Sequence, residues 1–183
     1  SGADWVRIIR HGVKPGGLTA SMPSVDFQSF SDQEISDIAT AILAKPAVAE
    51  PAPSTDLGPV MTMLIATEQI PLSAELIDHT AKRAETPPEI KVSMELGEHL
   101  ANTCSGCHGL TFQGGPIVGG DPAWPAASDI SGVALADYSL EQWTAAMTEG
   151  KGKDGRTLVV PMSDVIPYTA RMKPEAVSYT HLR

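Results

Sequence analysis

Apolar residues at helical spacing mark two helices near the start of the chain. The first covers residues 3–12 and ends at Gly12, and its apolar positions are Trp5, Ile8 and Ile9. The second opens with a capping box made by Ser31 and Glu34. One face of this second helix is apolar and carries Ile35, Ile38, Ala39 and Ile42. Both segments therefore predict amphipathic helices that each bury one side.

Three more helices are predicted in the second half of the chain. One covers residues 93–102. The next covers 139–149, opens with a second capping box formed by Ser139 and Gln142, and ends at Gly150. The last begins at Pro174, because proline suits the first turn of a helix. The periodicity thus predicts an all-α fold.

The connections divide the chain into three parts. Residues 1–45 hold the first two helices, residues 46–90 form a Pro/Ala-rich linker with one short helix predicted over 60–67, and residues 91–183 hold the later helices. Within the last part, residues 109–136 form a loop rich in glycine and proline. A loop of this length is uncommon in a compact domain unless it wraps around something.

Two stretches of the chain repeat one order of parts. Residues 5–35 and 143–177 each contain, in the same order, a tryptophan-bearing helix, a glycine stop, a glycine-containing loop, a methionine after that loop and a further helix. The methionines are Met22 in the first copy and Met162 in the second. The spacing from tryptophan to glycine stop is the same in both copies. The chain is therefore predicted to contain two related domains, of which the first is incomplete.

Composition changes this picture in two ways. Apolar residues make up 42% of the chain but aromatic residues only 5%, so a small domain needs something other than large side chains to fill its interior. The net charge of -9 is the wrong sign for holding a phosphate backbone, which argues against a nucleic-acid partner. No stretch approaches the roughly 18 apolar residues of a membrane span.

The two cysteines of the chain lie in a C-x-x-C-H pentad, in which Cys104 and Cys107 are followed by His108. They are too close in sequence for a disulfide between them to close a useful loop. Two thiols at this spacing on one helical turn can add to the two vinyl groups of a haem. The histidine that follows then lies under the ring and binds the iron. The pentad predicts one covalently attached haem c per chain.

The pentad has two other interpretations. A thioredoxin-like dithiol prefers a βαβ setting, which the pattern of the chain does not predict. A structural zinc site needs four ligands, and the sequence has no second C-x-x-C pair. Both alternatives are weaker than the haem.

Met162 is the predicted second axial ligand of the iron. It follows Pro161 on a predicted loop, and a thioether on a pinned loop is a suitable soft ligand that raises the reduction potential. The rival side chains are expected to do other things. Met147 is expected in the core, Met172 beside the last helix as an apolar staple, and His79 and His99 in solvent.

Residues 91–183 resemble a class I cytochrome c domain of the kind found in bacterial multihaem cytochromes that serve membrane-linked dehydrogenases. The matching stretches are GEHLANTCSGCHG, GGPIVGG, the Trp143 helix, DGRTLVVPM and the helix after Arg171 and Met172. The resemblance implies an all-α fold wrapped around haem, a periplasmic location and one-electron transfer between redox proteins. It also implies that a loop proline carbonyl, here that of Pro116, orients the ring of His108.

Residues 1–45 resemble the C-terminal half of a second such domain, with Met22 in the ligand position. This half has no C-x-x-C-H motif, so Met22 is not counted as a site. The chain begins without methionine and ends in VSYTHLR, which is polar where an amphipathic helix is expected. We therefore expect the sequence to be a gene fragment, with another C-x-x-C-H encoded upstream.

The expected function is that of an electron carrier, not an enzyme. Its partners would be a dehydrogenase, an oxidase or a soluble cytochrome, and the negative charge would steer it toward basic patches on them. Association with a membrane would occur only through a partner or a segment missing from the sequence. The alternatives are a dihaem peroxidase and a haem gas sensor, each of which needs an open sixth position on the iron.

Overall fold

A computed structural model describes residues 1–20, 22–46, 57–117 and 120–179, and it divides the chain into two compact units, Ser1–Pro87 and Pro88–Arg183. The described residues are mostly helical, and their β structure is limited to three isolated antiparallel bridges. The all-α prediction is confirmed. Within the same residues, no helix has both the length and the apolar character needed to cross a membrane. Residues 47–56 of the predicted linker lie outside the described part of the chain.

The first unit contains four helices within its described residues: α1 Gly2–His11, α2 Asp32–Leu43, α3 Pro59–Ala66 and α4 Ser73–Leu76, with a 3-10 turn at Ser24–Phe27. The predicted capping box is present, because the Ser31 hydroxyl accepts from the Glu34 amide while the Glu34 carboxylate accepts from the Ser31 amide. The short helix predicted over 60–67 is confirmed as α3. The buried apolar residues of the unit are Ile9, Ala20, Ile35, Ala39 and Ile77.

A buried arginine ties α1 to the start of α2. Arg10 is 6% exposed, and its guanidinium lies 2.7 Å from the Asp32 carboxylate. The same guanidinium donates to the backbone oxygen of Phe30 at 2.9 Å. Since the carboxylate partner is largely exposed, the orientation of the two helices depends as much on the carbonyl bond as on the ion pair.

The second unit contains six helices within its described residues: α5 Met94–Ala101, α6 Ser105–His108, α7 Gly132–Leu135, α8 Leu140–Glu149, α9 Met162–Thr169 and α10 Pro174–Tyr179. A 3-10 turn at Asn102–Cys104 joins α5 to α6. The predicted helices over 93–102 and 139–149 and the helix starting at Pro174 are confirmed. The last residues of the VSYTHLR tail, 180–183, lie outside the described residues.

Met162 lies on a helix, not on the predicted loop. It is the first residue of α9, which contains Pro167 in its interior. Pro161 and Pro167 in close succession indicate a loop in the sequence, because each interrupts helical hydrogen bonding. The helix is instead fixed at its end by tertiary structure: the Thr169 hydroxyl donates to the backbone oxygen of Met147 at 2.5 Å.

The core of the second unit is a small cluster of Leu135, Trp143, Met147 and Val177. The indole nitrogen of Trp143 donates to the backbone oxygen of Val177 at 2.9 Å, which joins α8 to α10. Helix α8 also packs on α9, and α10 packs on α5. Since α5 runs directly into the turn that carries the two cysteines, this frame holds the candidate site.

The predicted repeat is visible as the same loop structure in both units. The helix stops Gly12 and Gly150 both adopt left-handed backbone angles, with φ of 65° and 67°. Each stop is followed by an antiparallel bridge, Val13 to Thr19 in the first unit and Lys151 to Thr157 in the second. Each stop also accepts a backbone hydrogen bond that closes the loop, from Ala20 at 2.6 Å and from Leu158 at 2.8 Å.

The equivalence of the two loops does not extend to their methionines. The offset that aligns the two glycine stops and the two bridges also aligns Pro23 with Pro161. Met22 precedes its proline, whereas Met162 follows its own. Ser24 therefore takes the place of Met162 in the first unit, where its hydroxyl donates to the backbone oxygen of Ile8 at 3.0 Å.

Candidate functional site

One helical turn of the second unit carries the three predicted haem-binding side chains. Cys104 ends the 3-10 turn, and Cys107 and His108 belong to α6. Residues three and four apart in a helix lie on the same face, so Cys107 and His108 both project on the side of Cys104. The cysteines are present as thiols, not as a disulfide. Cys104 and His108 are half-buried and Cys107 is exposed.

The ring of His108 is held by a backbone carbonyl twenty residues further along the chain. Its Nδ1 lies 2.8 Å from the oxygen of Ser128. A carbonyl oxygen can only accept a hydrogen bond, so Nδ1 carries the proton and the neutral ring keeps the lone pair of Nε2 available. This is the tautomer that a metal-binding imidazole needs, with its other ring nitrogen donating to a backbone oxygen.

The course of the loop after His108 explains why Ser128 supplies this carbonyl. The amide of Gly114 donates to the His108 oxygen at 2.9 Å, which turns the chain back. Gly115 and Ala127 then exchange two backbone hydrogen bonds of 2.9 and 2.8 Å. Ser128, the residue after Ala127, is thereby carried past the imidazole.

Gly114 permits this close approach of two backbone segments. Its φ is +73°, and a Cβ at this position would overlap the Ala127 oxygen and lie 2.6 Å from the Ser128 oxygen. Only glycine fits here. The loop therefore folds back on the histidine that begins it.

The contact predicted for Pro116 is not the one that the structure shows. The carbonyl that faces Nδ1 of His108 belongs to Ser128. The bridge between Gly115 and Ala127 selects the residue next to Ala127 for this contact, whereas Pro116 follows Gly115 on the opposite strand of the bridge. The residue that sequence reasoning missed is thus Ser128, and its only signal in the sequence is the pair of glycines that lets its segment approach.

Met162 is held by the core of the second unit. It is half-buried and packs against the cluster of Leu135, Trp143, Met147 and Val177. The packing of α9 on α8, of α8 on α10 and of α10 on α5 links Met162 to the turn that carries Cys104. The role of Met162 as a ligand stays a prediction. Met147 is a core residue, as expected, with 8% of its surface exposed. Met172 packs against the same cluster as Met162.

The histidines considered as rivals lie in other settings. His99 is half-buried on α5. His79 belongs to the first unit and is exposed, but it is not simply solvated, because it has hydrogen-bond partners at both ring nitrogens.

Apolar side chains next to the predicted ligands are exposed. Leu110, two residues after His108, is 64% exposed. Val159 and Val160, just before Met162, are 61% and 42% exposed.

The donor set fits a haem better than a zinc ion. Among the residues that the structure describes, no three His, Cys, Asp or Glu side chains are grouped as a metal cage requires. A covalently attached haem needs less from the protein, namely two thiols and one neutral imidazole on the same face of a turn. The pentad and the Ser128 carbonyl provide these. The thioredoxin-like alternative lacks its sheet, since isolated bridges are the only β structure in the described residues.

Comparisons with protein-family models and with curated proteins do not identify a family for the chain. No protein-family model matches the chain. No curated protein matches it either.

Proposed function

We propose that this protein is an electron carrier, with one haem c per chain bound to Cys104 and Cys107. His108, through Nε2, and Met162 would bind the iron. The observation that carries the proposal is the hydrogen bond from His108 Nδ1 to Ser128, which leaves Nε2 as the free lone pair beside two thiols. The haem would supply a reversible one-electron change at iron.

Different residues of the chain would hold different parts of the haem. Each thiol would add across one vinyl group, forming a carbon–sulfur bond while the thiol proton passes to the neighbouring vinyl carbon, so that no oxidant is consumed. Because Cys107 and His108 follow Cys104 by three and four residues in the helical turn of residues 102–108, both thiols and the imidazole would lie on one face. The Ser128 carbonyl fixes the ring orientation and selects the tautomer that carries its proton on Nδ1.

A methionine at the sixth position favours a carrier over an enzyme. Met162 is anchored by the core cluster and by the short helix that it begins. A ligand fixed in this way would keep the iron closed to peroxide and to gases, in contrast to the dihaem peroxidase and gas-sensor alternatives. Electrons would then pass at the haem edge and no substrate would bind the iron.

The proposed partners are redox proteins with basic surfaces. The net charge is -9, and the propionates of a haem would add to it. Charge of this sign raises the rate of encounter with positively charged patches and lowers affinity for nucleic acid. We place the protein in the periplasm, next to a dehydrogenase and a respiratory acceptor, with any membrane association made through a partner.

Spectroelectrochemistry of the full chain with carbon monoxide tests this function. We expect a reversible one-electron titration and a reduced spectrum that carbon monoxide leaves unchanged. Rapid, stoichiometric binding of carbon monoxide by the reduced protein would show an open sixth position, and would favour the peroxidase or sensor alternative.

A further inference from the structure

Two histidines of the first unit contact each other through their ring nitrogens. His11 is the last residue of α1, and His79 lies three residues after α4. Their Nδ1 atoms are 3.0 Å apart and their ring centroids 5.2 Å apart. The other nitrogen of His79, Nε2, lies 2.8 Å from the backbone oxygen of Ala74. We call His11 and His79 the histidine clasp.

The contact between the two rings of the clasp can form only when the imidazoles do not both carry two protons. The Ala74 carbonyl can only accept, so Nε2 of His79 carries a proton. When His79 is neutral, its Nδ1 is therefore an acceptor, and Nδ1 of His11 donates to it. One further proton is tolerated if His79 donates from Nδ1 to a neutral His11. With both rings protonated, two N–H groups would face each other across 3.0 Å.

The charges around His11 oppose its protonation. The pKa of His11 is held below its ordinary value, first by burial and then by the positive charges of His79, Arg10 and Arg83. Arg10 is next to it on α1, while His79 and Arg83 come from the segment that packs across the helix end. A doubly protonated clasp would therefore add charge to a site that is already cationic.

Four acidic groups of the neighbouring elements have partners outside the clasp. On α2, Asp32 is bound by Arg10 and Glu34 caps the helix. Asp26, in the 3-10 turn, also takes part in an interaction. In the segment after α3, Glu75 accepts from the Leu72 amide and Asp78 accepts from the amide and hydroxyl of Thr80.

The clasp is not built to hold a metal ion. Two imidazoles are too few for a closed site, and no group of three or more His, Cys, Asp or Glu is found in the described residues. Two neighbouring guanidinium groups would also repel a divalent cation. The chemistry of the pair is that of a shared proton.

The clasp fastens one segment of the first unit to the end of α1. Residues 73–80 contain α4, the carbonyl acceptor Ala74 and the buried side chain of Ile77. Further along, the backbone oxygens of Ala84 and Glu85 accept from the amides of Asp32 and Gln33, both at 3.0 Å. Because those two bonds involve no titrating side chain, they would persist at low pH.

We propose that the histidine clasp is a pH-sensitive fastening that releases residues 73–80 from the end of α1 when both imidazoles are protonated. Residues 84–85 stay attached through their backbone bonds, so the opening is local. The exposed position of His79 gives solvent protons direct access to the clasp.

Nitrogen NMR of the full chain, labelled at histidine, tests the clasp without a substitution. At pH 7.5 we expect His11 protonated at Nδ1 and His79 protonated at Nε2, two complementary tautomers. His11 should also take up its proton at a lower pH than an isolated histidine, because burial and the neighbouring positive charges lower its pKa. The same tautomer in both rings, or protonation of His11 at the ordinary histidine pKa, would overturn the proposal.

Hydrogen exchange, corrected for intrinsic rates, tests the release. Amides of residues 73–80 should lose about tenfold or more of their protection between pH 7.5 and pH 5.0 in the wild-type chain. In His11→Gln this pH dependence should disappear, and in His99→Gln, a histidine of the second unit, it should remain. Unchanged wild-type protection at pH 5.0, or equal pH dependence in His11→Gln, would overturn the proposal.

Discussion

Nδ1 of His108 lies 2.8 Å from the backbone oxygen of Ser128, twenty residues away in sequence. This bond fixes both the tautomer and the plane of the one imidazole in the C-x-x-C-H pentad. The loop after the pentad therefore folds back and supplies the hydrogen-bond acceptor for the histidine that precedes it. The properties of a haem bound at His108 should therefore depend on loop residues that never touch the iron.

Gly114→Ala should disturb the site from a distance. The new Cβ would lie 2.6 Å from the Ser128 oxygen and overlap the Ala127 oxygen, so the carbonyl must move away from His108. We expect an altered reduction potential and a loss of stability beyond the about 1–3 kcal/mol of a strained backbone. Gly155→Ala is the matched control, with φ of +78° and nothing within 4 Å. Equal effects of the two substitutions on the potential would contradict the role of Ser128.

Met162→Ala should remove the proposed second ligand of the iron. We expect the absorption band of the thioether–iron bond to vanish, the potential to fall, and carbon monoxide to bind the reduced protein. Met172→Ala is the control, because Met172 packs against the same core cluster. If Met172→Ala produces these spectral changes and Met162→Ala does not, the ligand assignment is wrong.

Trp143→Phe should lower stability without changing the spectrum. The substitution removes the indole donor and leaves the buried Val177 oxygen without it, at a cost of about 1–3 kcal/mol in urea unfolding. Trp124→Phe, at an exposed loop position, should cost less. A large spectral shift in Trp143→Phe with stability unchanged would show that the indole serves the haem directly.

Acid should weaken the first unit through His11. Its folded-state pKa lies below that of the unfolded chain, so the unfolded chain binds the proton more readily. The free energy of unfolding should therefore fall as the pH decreases below about 6.5. His11→Gln should lose less stability between pH 7.5 and 5.5 than the wild type, measured by urea unfolding. A parallel pH dependence in the two proteins would contradict this assignment.

Local sequence signals predicted most of the helices. The capping boxes at Ser31 and Ser139 and the stop at Gly150 act through bonds within a few residues, so their spacing alone reveals them. The repeat was also readable, because each copy closes its loop with the same local bridge. The turn that carries Cys104, Cys107 and His108 follows from the same short-range geometry.

Contacts over longer distances in the sequence could not be predicted. Ser128 reaches His108 only because two loop strands cross at Gly114, and nothing in the spacing selects Ser128 over Pro116. Helix α9 contains an internal proline and is stabilised at its end by the hydrogen bond from Thr169 to Met147. This bond depends on how α8 and α9 pack. The contact of His11 with His79 likewise joins residues 68 positions apart.

Intact mass measurement under denaturing conditions tests covalent haem attachment through Cys104 and Cys107 most directly. The full chain would be produced in cells that carry the machinery for c-type haem attachment, beside Cys104→Ser/Cys107→Ser. We predict a wild-type mass equal to the polypeptide plus one haem, stable to acid extraction, and a bare polypeptide for the double variant. A bare wild-type polypeptide that binds stoichiometric zinc in place of iron would contradict the proposed function.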